Sequence, residues 1–215
     1  MKLEGKIFNF LGDSITEGVG TTATEKRYFE IIKKEYGLSK VNCYGISGTR
    51  IADQQSPDPS ALIDKYFASR IDEMEDADGV VVFGGTNDFG HGDAPLGTFA
   101  DRTPSTFYGA CHDLFSRLIN KYPGRAIVIM TPLHRTTEDD VQTKHGVDVT
   151  LKTYVDIIRE VAEFYSLPVC DMYKNSGLQP RIDVIREKFI PDGLHPNDEG
   201  HKIIAARLGE FLATL

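Results

Sequence analysis

The chain has 215 residues, 40% of them apolar and 26% charged, which fits one globular domain, 1–215, able to bury a sizeable core. A net charge of -8 without any long Lys/Arg cluster argues against a nucleic-acid partner, because phosphate binding rests on local positive charge. The amino terminus interleaves charge with a short apolar run and has no small-residue cleavage site, so neither a secretory signal nor a membrane span is expected.

The apolar run within Lys6 to Gly18 reads as a buried first strand that ends abruptly in Gly12-Asp13-Ser14. A serine is thereby displayed just past the carboxyl end of a strand, where open α/β sheets bind ligands. Glu25 to Tyr36 carries Tyr28, Phe29, Ile32 and Tyr36 at helical spacing, with Gly37 placed to stop it. Val41 to Ile46 is a second strand, and residues 50–59 are a polar, proline-containing loop. Leu62, Ile63, Tyr66, Phe67 and Ile71 predict another helix, and Gly79 to Phe83 a third strand, apolar throughout as one covered on both faces should be. Thr103-Pro104 opens a helix that puts Phe107, Ala110, Cys111, Leu114, Phe115, Leu118 and Tyr122 on one face. Strand four is Ala126 to Met130. A long amphipathic helix runs from Leu151 to Tyr165, a short strand covers Leu167 to Cys170, and Ile203 to Leu212 closes the chain as a helix. This alternation predicts a mainly parallel sheet with helices on both faces, a three-layer α/β/α sandwich. Two connections, Gly84 to Thr103 and Pro132 to Gly146, are longer than such a fold needs and leave from the same rim as Ser14.

Cys43, Cys111 and Cys170 are too few and too scattered for a disulfide framework or a C-x-x-C metal site, which points to a reducing cytoplasm. If Ser14 is a nucleophile, it needs a base, a group to orient the base, and donors for an oxyanion. Six histidines compete for the role of base. His112 reads as packing or surface, and His91, His134 and His145 lie in polar loops. His195 stands in Pro191-Asp192-Gly193-Leu194-His195-Pro196-Asn197, an irregular turn in which the carboxylate of Asp192 can reach one ring nitrogen and leave the other for Ser14. Gly45-Ile46-Ser47-Gly48-Thr49 ends strand two with glycines that admit close approach. Gly84-Gly85-Thr86-Asn87-Asp88 ends strand three with a neutral amide donor, so Ser14 N–H, Gly48 N–H and Asn87 suit an oxyanion hole.

These four blocks, Gly12-Asp13-Ser14, the glycine of Gly-Ile-Ser-Gly48, Gly85-Thr86-Asn87-Asp88 and Asp192-Gly193-Leu194-His195, resemble in order and spacing those of the SGNH hydrolases, the GDSL family of esterases and lipases. The resemblance implies a flavodoxin-like fold with a mainly parallel five-stranded sheet. It also implies Ser14 as nucleophile, His195 as base, Asp192 as its orienting group, and Ser14, Gly48 and Asn87 as the oxyanion hole, with no cofactor or metal. The G-x-S-x-G elbow of α/β-hydrolases is absent.

Each block alone has a plainer explanation: Ser14 as a helix cap, the glycines and Asn87-Asp88 as turn formers, Asp192 and His195 as a structural turn. Asp13 is expected to support its loop by hydrogen bonding, and Asp13 and Arg50 are candidate substrate contacts, Arg50 being equally readable as a solvated surface arginine. His195 with His201, or His134, Asp139, Asp140 and His145, form two weak metal candidates that lack a recognisable ligand spacing. The long loops are polar and offer little lining for a fatty chain. The expected reaction is therefore hydrolysis of a short acyl ester, acetyl first, on a polar alcohol such as a carbohydrate. The alternatives are a lysophospholipase or thioesterase of the same family, or a non-catalytic glycan-binding module. A homodimer is left open.

Overall fold

In a computed structural model, residues 2–54 and 62–215 are described. In chain order they form β1 (Ile7–Gly12), α1 (Ser14–Glu17), a 3-10 turn (Thr24–Lys26), α2 (Tyr28–Tyr36), β2 (Lys40–Gly45), two 3-10 segments (Leu62–Asp64 and Phe67–Glu73), β3 (Gly79–Phe83), α3 (Thr86–Gly90) and α4 (Phe107–Lys121). Next come β4 (Ala126–Met130), β5 (Gln142–Lys144), β6 (Val147–Val149), α5 (Leu151–Phe164), β7 (Val169–Cys170), α6 (Met172–Asn175), α7 (Asp183–Phe189) and α8 (Asp198–Thr214). The main sheet has the order β2-β1-β3-β4-β7 with every pair parallel. That is the flavodoxin-like arrangement, in which the strand order switches direction beside β1.

The side-chain alternation of the strands sorts the core into two layers. Leu11, Val80, Val82, Ile127 and Ile129 face α4, α5 and the Phe67–Glu73 segment. Phe8, Phe10, Val81, Phe83, Val128 and Met130 face α2 and α8. Both faces of β3 are covered, and all five of its residues are buried. On the second layer Phe10 stacks on Phe29, centroid to centroid 5.0 Å, and Tyr28 meets Phe83 edge-on at 6.1 Å. The one polar side chain inside β1, Asn9, is fully buried and satisfied: its amide donates to Glu75 O (2.7 Å) and Tyr122 Oη (3.0 Å), and its oxygen accepts from Asn42 (2.8 Å).

Several local expectations are corrected. The helix expected over Leu62 to Ile71 is two 3-10 pieces, and part of the loop expected at 50–59 lies outside the described residues. Helix α2 starts at Tyr28, with Glu25 in the preceding 3-10 turn. The cap of α4 is Thr106, whose Oγ1 accepts from Gly109 N at 3.1 Å, while Pro104 O is drawn off to accept from Asp53 N at 2.8 Å. Strand β7 holds only Val169 and Cys170. The stretch Pro132 to Gly146 is not simply a loop, because it contains β5, the first strand of an antiparallel hairpin completed by β6 just beyond it. Among the described residues no helix is long and apolar enough to cross a membrane.

The two ends of the chain are joined through α2 and α8. His201 on α8 is fully buried, lies parallel to the Tyr28 ring, and its Nδ1 accepts from Tyr28 N at 3.1 Å. Burial draws its pKa from 6.5 down to about 4; nearby Asp198 opposes the shift and Arg27 adds to it. The unfolded chain therefore binds a proton that the folded chain refuses between pH 6.5 and about 4. His201 should make stability fall as the pH drops through that window, by up to roughly 3 kcal/mol. Urea unfolding of His201→Gln beside the parent at pH 7 and pH 4.5 should show the variant losing less; equal losses would contradict this.

Candidate active site

Ser14 stands just past the carboxyl end of β1, an internal strand of the sheet. Gly12 precedes it because Thr16 Oγ1 occupies the place of a side chain: a Cβ there would sit 2.1 Å from that oxygen. The cap of α1 is Asp13, whose Oδ1 accepts from Ile15 N at 3.0 Å. Ser14 is thus the first residue of the helical turn and not its cap, which leaves its hydroxyl free of the backbone.

The partner of that hydroxyl comes from the turn before α8. Asp192 Oδ1 accepts from the N–H groups of Leu194 (2.9 Å) and His195 (2.7 Å), and its Oδ2 lies 2.7 Å from His195 Nδ1. A carboxylate can only accept, so the Nδ1 proton points to Asp192 and Nε2 is left with its lone pair toward Ser14 Oγ, 3.0 Å away. Partial burial pushes the Asp192 carboxyl up, but the two N–H bonds and the imidazole outweigh it and hold the group below the usual carboxylate range. The arrangement can move a proton from Ser14 to His195 while Asp192 stays ionised.

Gly48 follows β2 with φ of 76°, a left-handed conformation that glycine adopts without strain. Asn87 is the second residue of α3, after β3, and its Nδ2 donates to Thr49 O at 3.0 Å. One hydrogen of that amide is thereby used to tie α3 to the Gly48 loop, and the other is available to a ligand.

The Gly48 loop and the neighbouring helix α3 are held by four side chains. Glu17 Oε2 accepts from Ser47 N at 2.7 Å and from its hydroxyl. Asp88 accepts from Ile51 N (3.0 Å) and Ala52 N (2.9 Å), which gives the expected turn-former a longer reach. Arg70, buried, donates to Gly12 O, Tyr44 O and Thr49 Oγ1. Lys144, from the hairpin, donates to the carbonyls of Asp88, Phe89 and Gly92 at 2.6–2.7 Å and closes the end of α3.

Other candidates go elsewhere. Arg50 is no solvated surface arginine: it is 6% exposed, its Nη2 donates to Gln54 O at 3.0 Å, and it pairs with Asp64 at 3.3 Å. Asp13 is 2% exposed and supports its turn by capping α1. The metal candidates are not brought together. His195 uses both ring nitrogens on Ser14 and Asp192, and His201 turns to Tyr28. His134 pairs with Glu138 at 2.6 Å, Asp139 with Arg181, and His145 Nε2 lies 2.6 Å from Asp93 O. Among the described residues no group of three or more His, Cys, Asp or Glu side chains is gathered as a metal would require. His112 is buried among Phe99, Phe164 and Tyr165. His91 is exposed at the end of α3.

A strand-tip serine linked through an imidazole to a carboxylate, on a five-stranded parallel sheet, defines a hydrolase-like α/β protein. The family model of the GDSL-like lipase/acylhydrolase family matches residues 10–203, and the chain belongs to that family. No curated protein matches it in sequence. One solved crystal structure is 30% identical over 100% of this chain and 99% of its own, with a TM-score of 0.86. A protein from Lactobacillus plantarum is 29% identical over 98% of each chain, with a TM-score of 0.83. An acetyl xylan esterase shares the fold at 21% identity, over 97% of this chain and 100% of its own, with a TM-score of 0.64.

Asp13 has a measurable signature. Burial pushes its carboxyl from 3.8 up to about 7, against the Ile15 N–H bond and the charge of Arg70, with Asp88 adding to the rise. The folded state thus holds a proton that the unfolded state releases between pH 3.8 and about 7, and Asp13 costs stability as pH rises through that window. Asp13→Asn keeps the cap acceptor without the titration. Its unfolding free energy relative to the parent should gain up to roughly 4 kcal/mol between pH 4 and pH 8. A difference that does not change with pH would refute the assignment.

Proposed function

We propose that this protein is a serine esterase that removes short acyl groups, acetyl foremost, from a polar alcohol such as a carbohydrate through an acyl-enzyme. The observation that carries the reading is the continuous hydrogen-bonded chain from Ser14 Oγ to His195 Nε2 and from His195 Nδ1 to Asp192 Oδ2. In the first step Ser14 Oγ bonds to the ester carbonyl carbon as its proton passes to His195 Nε2. The N–H groups of Ser14 and Gly48 and the free hydrogen of Asn87 receive the oxyanion. The C–O bond to the alcohol breaks, and His195 returns the proton to that oxygen. Water then gives a proton to His195, adds to the acyl carbon, and the acid leaves as Ser14 regains its hydrogen.

The short-acyl preference is supported by the polar make-up of the loops on the Ser14 rim, Gly90 to Asp93 and Pro132 to Gly146, which offer little lining for a fatty chain. A hollow lined by Asp13, Ile15, Phe83, Leu133, His134 and Leu194 is too narrow to admit water. A wider groove lined by Lys6, Asp78, Arg125 and Leu167 lies at the amino ends of the strands, on the edge away from Ser14.

Ser14→Ala should lower kcat on an acetyl ester by at least about 10³-fold with an unchanged melting temperature. Asp192→Asn, which sets the wrong tautomer, should cost about 10²- to 10⁴-fold. Because the Asp192 carboxyl is held below the usual carboxylate range, it stays ionised in weak acid and should add no titration of its own to the acid limb of kcat/KM there. Among p-nitrophenyl esters of increasing length, kcat/KM should be highest at two to four carbons. Retained activity in Ser14→Ala would overturn the mechanism, and a preference for long chains would overturn the substrate class.

A further inference from the structure

The oxyanion donors assigned above come from three different strand ends, and one side chain bonds to the backbone or its neighbours at two of them. Arg70 lies in the Phe67–Glu73 segment, is 2% exposed, and packs its guanidinium over the Phe67 ring at 4.7 Å. Its Nη1 donates to Gly12 O at 2.9 Å and to Tyr44 O at 2.5 Å, and its Nη2 to Thr49 Oγ1 at 3.2 Å. Gly12 stands two residues before Ser14. Tyr44 is the last residue but one of β2, ahead of Gly48, and Thr49 follows Gly48. Thr49 also donates from Oγ1 to Ile46 O at 2.7 Å, which tightens the turn around Gly48, and its carbonyl is the acceptor of Asn87 Nδ2. Every donor group therefore lies within two residues, or one further hydrogen bond, of a residue that Arg70 holds.

Resting on the esterase reading, we infer that Arg70 is the positioning residue of the oxyanion hole, setting the distance between the Ser14 turn and the Gly48–Thr49 turn to which Asn87 is tied. A guanidinium suits the task because its donors lie in one rigid plane, which fixes the acceptors relative to one another; a lysine has one pivoting donor group. The position is costly for a cation. Burial draws its pKa down to about 10, which still leaves it charged at neutral pH, with Asp13, Cys43 and Glu73 as the groups that favour the charge. Stabilisation of an oxyanion depends on donors held at the place where charge develops, so a shift of a fraction of an ångström acts on the transition state and not on the bound ester.

The test separates that effect from simple damage. Arg70→Met should lower kcat on an acetyl ester about 30- to 300-fold with KM within about threefold, and Arg70→Lys should recover part of the loss. The inhibition constant of a methylboronic acid, which forms a tetrahedral adduct on serine, should rise by about the same factor as kcat/KM falls. Unchanged kcat in a folded Arg70→Met, or a fall in kcat without a change in boronate affinity, would overturn the inference. Should Arg70→Met fail to fold, Thr49→Val deletes the acceptor of Arg70 Nη2 together with the hydroxyl's own bond to Ile46 O, and leaves Arg70 in place. It should cost about 3- to 10-fold in kcat with a matching boronate shift, recovered in Thr49→Ser, and no effect would overturn the inference equally. A parent enzyme without acid limb or with active Ser14→Ala would instead refute the esterase reading beneath it.

Discussion

The hydrogen bond between Ser14 Oγ and His195 Nε2 joins residues 181 positions apart, so it exists only if the first strand and the last turn are both in place. Everything between them serves that closure. Strand β1 is internal to the sheet, flanked by β2 and β3, and its tip is fixed by ladder bonds on both sides. The turn that carries His195 precedes α8, which packs on α2 through Tyr28 and His201. The nucleophile and its base are thus delivered by two elements sharing one aromatic layer of the core. The bond reports the integrity of the whole sandwich.

Beneath the reacting groups lies a dense set of buried charges. Asp13, Asp88 and Arg70 are each at most 3% exposed, and burial shifts all three toward their neutral forms. Such groups destabilise a fold unless their hydrogen-bonding capacity is used, and here most of it is used on main chain, Arg70 Nε being left without a partner among the described residues. Asp13 accepts from the Ser14 turn, Asp88 from residues 51 and 52, and Arg70 donates to the ends of β1 and β2. Strand ends are irregular and leave orphan N–H and C=O groups; short polar side chains convert those orphans into a fixed scaffold. Asp192 differs from these. It is half-exposed, ionised and satisfied by its own turn, as suits a group that must stabilise a transient imidazolium.

Strands, layers and the four site blocks were legible in the sequence because each rests on local signals: apolar runs, helical spacing, glycines at strand ends, an Asp-Gly turn beside a histidine. What was not legible depends on contacts between distant segments. Arg70 sits in an apolar pattern that resembles a helix face, yet the segment folds as 3-10 and sends its guanidinium inward, and nothing near it in sequence announces Gly12 or Thr49 as partners. Arg50 looked like a surface cation because its neighbours are polar, whereas Asp64 draws it into the protein. The hairpin that begins within Pro132 to Gly146 has no local signature, because its strands are three residues long and its anchor is the long-range Lys144 contact with α3. The caps at Asp13 and Thr106 were each displaced by one to three residues from where composition placed them, the margin within which several polar residues compete for one N-terminus.

The most direct trial of the central claim is to trap the covalent state. The protein is mixed with an activated acetyl ester, quenched in acid within milliseconds, digested and examined by mass spectrometry. Acetyl found on the peptide carrying Ser14, and lost at the rate of steady-state turnover, is the predicted result. Turnover with acetyl on another residue, or a burst-free reaction that leaves Ser14 unmodified even when deacylation is slowed, would contradict it.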